Sequence, residues 1–331
     1  MTLVERFIER ARQRPTRVVL PEGNDERIIQ AACRLAREGI ARPILLGGAT
    51  EITNRAGGCL PPGVTVVDPM DSPHTAAYVE AYASRRSGVT SGMAQRLLKR
   101  PLMFGAMMVA ESGAEAMVAG VTKATSQVIT AGALAIGYAD GVSKPSSFFL
   151  MTWEGPPERV LVYADAAVAI DPSADELARI AVTTAENVRH LLGVEPKVAM
   201  LSFSTYGSAR HSRVTKVQEA TRIAREIAPG LAIDGDLQAD AALVSKVAGL
   251  KCSGSPVAGS ANVLIFPDLD SGNIAYKLTQ YLAGAHAIGP IMQGFRRPIN
   301  DLSRGASVDD IVAVCAISCL QAAGGSPAPA A

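Results

Sequence analysis

Arg17-Val18-Val19-Leu20-Pro21-Glu22-Gly23-Asn24-Asp25-Glu26-Arg27, continued through an apolar-periodic run to Glu38 and then by Arg42-Pro43-Ile44-Leu45-Leu46-Gly47, is the stretch that decides the fold. Arg17–Leu20 is a short β-prone run closed by Pro-Glu-Gly. Asp25 to Glu38 carries apolar side chains at helical spacing, and Arg42–Gly47 reads as a second strand. Strand, helix and strand at this spacing predict a parallel sheet with helical crossovers. Val64-Thr65-Val66-Val67-Asp68-Pro69 adds a third strand, so the N-terminal region is α/β.

In such sheets function gathers where strands end and helices begin. Pro21 to Arg27 holds that place after the first strand, which makes Arg27 a candidate anion contact; taken alone it reads equally as a solvated first-turn residue. A helix over Thr75–Ala83 leads to Arg85 and Arg86, which either grip phosphate or end that helix at its negative pole. Ala116–Gly120 is a buried strand running into Val121-Thr122-Lys123-Ala124-Thr125-Ser126, where small hydroxyl residues and Lys123 suit an oxyanion.

The polar, proline-containing run Glu154-Gly155-Pro156-Pro157 marks a domain crossing. The alternation then repeats. Val160–Asp165 is a strand, and Ser173 with Glu176 caps a helix that reaches Leu192 and stops at Gly193. Lys197–Phe203 is a strand emptying into Ser204-Thr205-Tyr206-Gly207-Ser208-Ala209, ahead of a helix from about Val214 to Ile227. Gly207 permits close backbone approach there, and the hydroxyls of Ser204, Thr205 and Ser208 offer donors to phosphate oxygens. Asp234-Gly235-Asp236 with Asp240 reads as a turn and helix start as easily as a site. Ala261–Asp268 is a strand, after which Tyr276-Lys277 enters a helix, and Ser326–Ala331 reads as a disordered tail.

Composition narrows the function classes. A chain of 331 residues holds one large or two ordinary domains. Its 32 basic and 31 acidic residues nearly cancel, so the footprint of a nucleic-acid binder is missing. The start, Met1 to Arg10, alternates charge with apolar residues unlike a signal peptide, and no apolar run reaches the roughly 18 residues of a membrane span. The cysteines number five, an odd count in a large chain, which suggests reduced thiols and a cytoplasmic setting. The four histidines form no ligand spacing, so no metal is expected.

One further segment is rich in functional groups, from Gly289-Pro290 through Arg296-Arg297-Pro298-Ile299-Asn300-Asp301-Leu302-Ser303-Arg304-Gly305 to Ser307-Val308-Asp309-Asp310. It has too few apolar residues to fill a core and reads as a surface, with Asn300-Asp301 as a turn pair. Ser307 stands three residues ahead of Asp310, the spacing of a capping box, so a buried apolar helix starts near Ser307 and runs on through Ile317. Ser303 and Arg304 then lie just outside a helix N-terminus, a natural anion site. The alternative is that Asp310 only caps its helix while Arg304 pairs with Asp301 or Asp309.

Taken with Pro21-Glu22-Gly23, Met200 to Thr205, Asp234 to Gln238, Ser255-Pro256-Val257-Ala258-Gly259 and Ile265 to Leu269, in that order, this segment resembles the phosphate acetyltransferases, from about Arg17 to Ala322. The resemblance implies two α/β domains of mainly parallel sheets flanked by helices, with the active-site cleft between them, in a homodimer. The first domain would be residues 1–150 completed by 295–331, and the second 151–294. The implied reaction is reversible transfer of an acetyl group between coenzyme A and phosphate, with no permanently bound cofactor, no metal and no acyl-enzyme.

On this resemblance Asp310 is the base, Ser303 and Arg304 stabilise the oxyanion, and Ser204, Thr205, Gly207, Ser208, Arg27 and Lys123 bind phosphate or acetyl phosphate. Asn300, Asp301 and Lys277 are the implied coenzyme A contacts. The chain departs from the family's pattern where a histidine is replaced by Lys123 and two arginines by Thr130 and Tyr281. Those departures keep open a non-catalytic acetyl-CoA sensor, and a transferase for propanoyl or larger acyl groups.

Overall fold

The computed structural model describes residues 1–153, 155 and 158–324. The expected tail, Ser326–Ala331, and most of the crossing at Glu154–Pro157 lie outside the described residues. The chain begins α1 (Leu3–Arg12), β1 (Arg17–Leu20), α2 (Glu26–Arg37), β2 (Arg42–Leu46), α3 (Ala49–Arg55) and β3 (Thr65–Val67). It continues through α4 (Thr75–Ser84), α5 (Ser91–Leu98), α6 (Pro101–Ala110), β4 (Ala116–Ala119) and α7 (Thr125–Ala135). Then come β5 (Ser146–Trp153), β6 (Arg159–Ala164), α8 (Ala174–Leu192), β7 (Lys197–Leu201), α9 (Ser212–Ile227) and β8 (Ala232–Leu237). The last elements are α10 (Ala239–Leu243), α11 (Ser245–Lys251), β9 (Val263–Ile265), α12 (Leu269–Ala283), β10 (His286–Gln293), β11 (Ile299–Asp301) and α13 (Val308–Gly324).

Two compact units divide these elements, Met1–Ala139 with Phe295 onward, and Asp140–Gly294. The first division falls ahead of residue 150, the expected limit. β5 pairs with both β6 and β10, so residues 140–150 go with the second unit.

The first unit is built on a five-stranded sheet of order β11-β4-β1-β2-β3, parallel throughout. From β1 the chain moves outward to β2 and β3, and then crosses back to place β4 on the other side. The order therefore reverses between β1 and β4, where open α/β sheets leave a crevice at the carboxyl ends of their strands. Leu20, Ile28, Leu35, Leu45, Phe104 and Met107 are fully buried. Helix α13 is buried along its whole middle, Ile311 to Leu320, which is why its sequence is apolar all round.

The second unit carries a six-stranded sheet of order β10-β5-β6-β9-β7-β8. β10, β5 and β6 pair antiparallel and the rest parallel. The predicted caps of α8 are present: Ser173 and Glu176 form a reciprocal box, and Gly193 ends the helix at φ 67°, left-handed.

Three local expectations change. Gly289 to Asp301 is not wholly a surface, because β10 and β11 lie within it and Ile291–Gln293 and Ile299–Leu302 are buried. Asn300-Asp301 is not a turn but part of β11, paired in register with Val118 and Ala119. Asp234–Leu237 is a strand, and the helix starts only at Ala239.

Candidate active site

Three loops leave adjacent parallel strands of the first unit and interlock. The loop after β1 carries Glu22, whose carboxylate accepts five hydrogen bonds from the loop after β4: Gly120 N at 2.7 Å, Val121 N at 3.1 Å, Thr122 N and Oγ1 at 2.6 Å each, and Lys123 N at 2.9 Å. The β4 loop is thus an oxyanion-binding fan, as expected, but its oxyanion is a side chain of the same unit. That filling is what allows Glu22 to be buried. Of Lys123, only the exposed side chain, without a hydrogen bond or ion pair, is left for a ligand.

The loop after β11 carries the predicted catalytic residues. Ala306 N donates to Ser303 O at 2.9 Å, closing a turn with Arg304 and Gly305 at its apex. Gly305 N also donates to Ser303 Oγ at 3.2 Å, which holds the hydroxyl at the surface. Asp310 accepts from Ser307 N and Ser307 Oγ, both at 2.8 Å, while Asp310 N donates to Ser307 Oγ at 3.2 Å. The capping box is therefore real and uses Oδ2, leaving Oδ1 of an exposed carboxylate without a partner among the described residues. Arg304 pairs with neither Asp301 nor Asp309. Asp309 pairs with Arg34 and Asp301 with Thr125, so the exposed Arg304 guanidinium has no partner among the described residues.

Other expected contacts are used up inside the fold. Asn300 is fully buried, and its amide donates to Ser318 Oγ and Gln321 Oε1 at 2.8 Å each, joining β11 to α13. Asp301 is 3 % exposed, with Oδ2 accepting from Thr125 Oγ1 at 2.5 Å and Oδ1 buried without a partner. Burial, with the neighbouring Glu22 charge adding to it, pushes the Asp301 carboxyl up to about 6. The polar side chains expected to meet coenzyme A, Asn300 and Asp301, are thus engaged within the first unit.

Arg27, expected as an anion contact, is also engaged within the unit. Nε and Nη2 donate to Asp25 at 3.1 and 3.0 Å, Nη1 to Arg304 O at 2.7 Å and Ala306 O at 3.2 Å, and Nη2 also to Val121 O at 3.3 Å. A guanidinium has five N–H donors, and all are engaged. Arg85 pairs with Glu111 at 2.6 Å, and Arg86 donates to the C-terminal carbonyls of α7, Ala133 O and Leu134 O. Arg85 is thus engaged by an ion pair, and Arg86 by the end of α7 rather than of the helix that precedes it.

In the second unit the Ser204–Ala209 loop folds onto the end of β8. Gly207 N donates to Asp236 at 3.1 Å, Tyr206 OH to Asp234 Oδ2 at 2.6 Å, and Thr205 Oγ1 to Gln238 Oε1 at 3.2 Å. Ser204, fully buried, accepts from Ala209 N at 3.2 Å and faces Ser208 Oγ at 3.3 Å. The carboxylates Asp234 and Asp236 are thus the loop's anchors. Ser204 and Thr205 are buried, and Gly207 and Ser208 are exposed. Lys277 is exposed on α12, its ammonium 5.6 Å from the Tyr276 ring centre.

Sequence reasoning missed Glu22 and Asp165. Asp165 is buried and accepts from Ser147 N and Oγ and from Ala167 N, Val168 N and Ala169 N. No local pattern announces either residue, since the donors to Glu22 lie about a hundred positions away. Arg297 is half-buried, without a hydrogen bond or ion pair among the described residues.

The fold and these loops define an α/β protein that presents a free guanidinium, a hydroxyl and a carboxylate edge where parallel strands end, a set suited to anionic substrates and developing negative charge. Residues 2–319 match the phosphate acetyl/butaryl transferase family. The chain belongs to this family, which consists of acyltransferases. It is 47 % identical to the phosphate acetyltransferase of Thermoanaerobacterium thermosaccharolyticum over 97 % of this chain and 100 % of that one. Identity to the Acetivibrio thermocellus phosphate acetyltransferase is 46 %, over 97 % and 98 %. A phosphotransacetylase from Streptococcus pyogenes superposes with a TM-score of 0.94 at 41 % identity, covering 98 % of this chain and 99 % of that one.

Proposed function

We propose that the protein is a phosphate acetyltransferase, catalysing acetyl-CoA + phosphate = CoA + acetyl phosphate by direct attack in a ternary complex. The observation that carries the reading is the Ser303–Asp310 segment, where the Arg304 guanidinium and Asp310 Oδ1 are exposed and have no partner among the described residues, and the exposed Ser303 hydroxyl, which accepts from Gly305 N, keeps its own proton to donate, while neighbouring polar groups are tied down. In the direction of coenzyme A acetylation, Asp310 takes the thiol proton. This matters because a thiol of pKa about 8.5 is mostly protonated at neutral pH and only the thiolate is nucleophilic.

The sulfur then bonds to the acetyl carbon, and the carbonyl oxygen becomes an oxyanion facing Ser303 and Arg304. The oxyanion collapses back to a carbonyl, the bond between the acetyl carbon and the bridging oxygen breaks, and phosphate leaves with the electron pair. The proton on Asp310 returns to solvent or phosphate. Lys123, Lys277 and Ser208 supply exposed polar contacts for the anionic substrates, with Ser204, Thr205 and Gly207 as the frame of the Ser208 loop. The protein acts as a homodimer in the cytoplasm, without a permanently bound cofactor.

Asp310→Asn tests the assignment. The amide oxygen can still accept from Ser307, so stability should fall by less than about 1 kcal/mol, whereas loss of the base should lower kcat by roughly 10²–10⁴-fold. Thiol release from acetyl-CoA with phosphate measures it; a wild-type kcat in the variant would sink the role. A sensor reading is favoured by Thr130, whose hydroxyl is bound to Ser126 O within α7 at 2.7 Å where the family pattern has an arginine. Acetyl-CoA binding without turnover by the wild-type protein would select it. Comparing kcat/KM for acetyl, propanoyl and butanoyl phosphates decides the acyl chain.

A further inference from the structure

Arg27 sits in the first turn of α2, two residues after its cap Asp25, where the helix dipole disfavours a cation. Its guanidinium is nevertheless held there by a bidentate contact to Asp25 that sets the plane of the fork. From that plane Nη1 reaches Arg304 O and Ala306 O, both in the turn that presents Ser303 and Arg304, and Nη2 reaches Val121 O in the loop wrapped around Glu22. One turn pair further along the same helix face, Arg34 holds Asp309. Helix α2 thus holds the turn through Arg27 and the first turn of α13 through Arg34, and the Arg27 clasp is on the carbonyls of Arg304, proposed to stabilise the oxyanion, and of Ala306.

We infer that Arg27 is a positioning residue for acyl transfer, whose guanidinium fixes the Ser303–Ala306 turn rather than contacting a substrate anion. The inference rests on the assignment of Ser303 and Arg304 made above. A lysine keeps the charge but has no planar fork and cannot span Asp25 and three carbonyls. Freed of the clasp, the turn can shift, and displacements near 1 Å cost on the order of 10²-fold in rate.

The test uses the full-length protein with Arg27→Lys and Arg27→Ala, measuring kcat, KM for both substrates, and amide hydrogen exchange of residues 303–307. Positioning predicts kcat down by about 10–100-fold in both variants, KM for phosphate and acetyl-CoA within about threefold of wild type, and faster exchange confined to the turn. Free guanidinium ion should partly restore kcat to Arg27→Ala. A rise in KM for phosphate or acetyl-CoA of tenfold or more with kcat kept would overturn the inference in favour of an anion contact. Unchanged exchange in both variants would overturn it as well. If instead Ser303→Ala and Arg304→Ala leave kcat at the wild-type value, the catalytic assignment fails on its own, while the exchange data still report on the clasp.

Discussion

Asp301 shows how far a residue's neighbourhood can reverse its apparent use. Beside Ser303 and Arg304 in sequence it looks like a ligand contact, yet it is buried, bonded to Thr125, and close enough to feel Glu22. Its carboxyl is raised from the ordinary 3.8 to about 6, so the folded protein holds a proton there that the unfolded chain releases. Protons bound in excess by the folded state make stability fall as pH rises. No cost applies below the unfolded value, it grows through the window up to about 6, and above that it is complete, on the order of 2–3 kcal/mol. Asp301→Asn keeps an oxygen for Thr125 and removes the titration. Thermal melts should find the variant more stable than wild type at pH 7.5 by that amount and the two alike near pH 4. Equal melting points at both pH values would show that Asp301 bears no such cost.

At the scale of elements, the site depends on loops that lock because three strands run parallel side by side. Gly120, at the end of β4, has φ 123°, and a Cβ there would meet the Leu302 backbone at 2.5 and 2.6 Å. Gly305, at the apex of the neighbouring turn, has no such restriction, and a Cβ there would meet only Ser303 Oγ at an ordinary 3.9 Å. Gly120→Ala should therefore cost at least about 2 kcal/mol through strain and overlap, and Gly305→Ala should stay within about 0.5 kcal/mol. Denaturant titration separates them; equal effects would contradict the interlock.

Much of this scale was legible from periodicity and caps. The helix after Ser307 and the α8 caps follow from residues three or four apart. Strands β8, β10 and β11 were not legible. Ile299–Asp301 becomes a strand only by pairing with Met117–Ala119, and nothing within such a short run announces a partner so distant in the chain.

For the whole molecule, the chain leaves the first unit at Ala139, builds the second, and returns at Phe295 to complete the first with β11 and α13. The second unit exposes Ile274, Leu278, Tyr281 and Leu282 on α12, at 58, 52, 79 and 81 %. Their spacing puts them on one apolar face, which supports the proposed homodimer, and Tyr281 is one of the positions where the family pattern has an arginine. Leu278→Glu with Tyr281→Glu is expected to shift the sedimenting species from dimer to monomer without unfolding; a dimer that persists would place the interface elsewhere.

Local rules of period, capping and turn chemistry settled the alternation of strands and helices, the start of α13 and the ordered motifs of the family, since each depends on residues close together in the chain. Which polar side chains stay free was settled only by the tertiary structure. Arg27, Asn300 and the β4 loop all carry groups that suit an anion or a nucleotide, and in each case a partner from another segment occupies them, while Ser204 is held within its own loop. Burial leaves no alternative, because a donor or acceptor removed from water must find a partner within the fold. Arg304, Ser303 and one oxygen of Asp310 escape that demand because their turn stays at the surface.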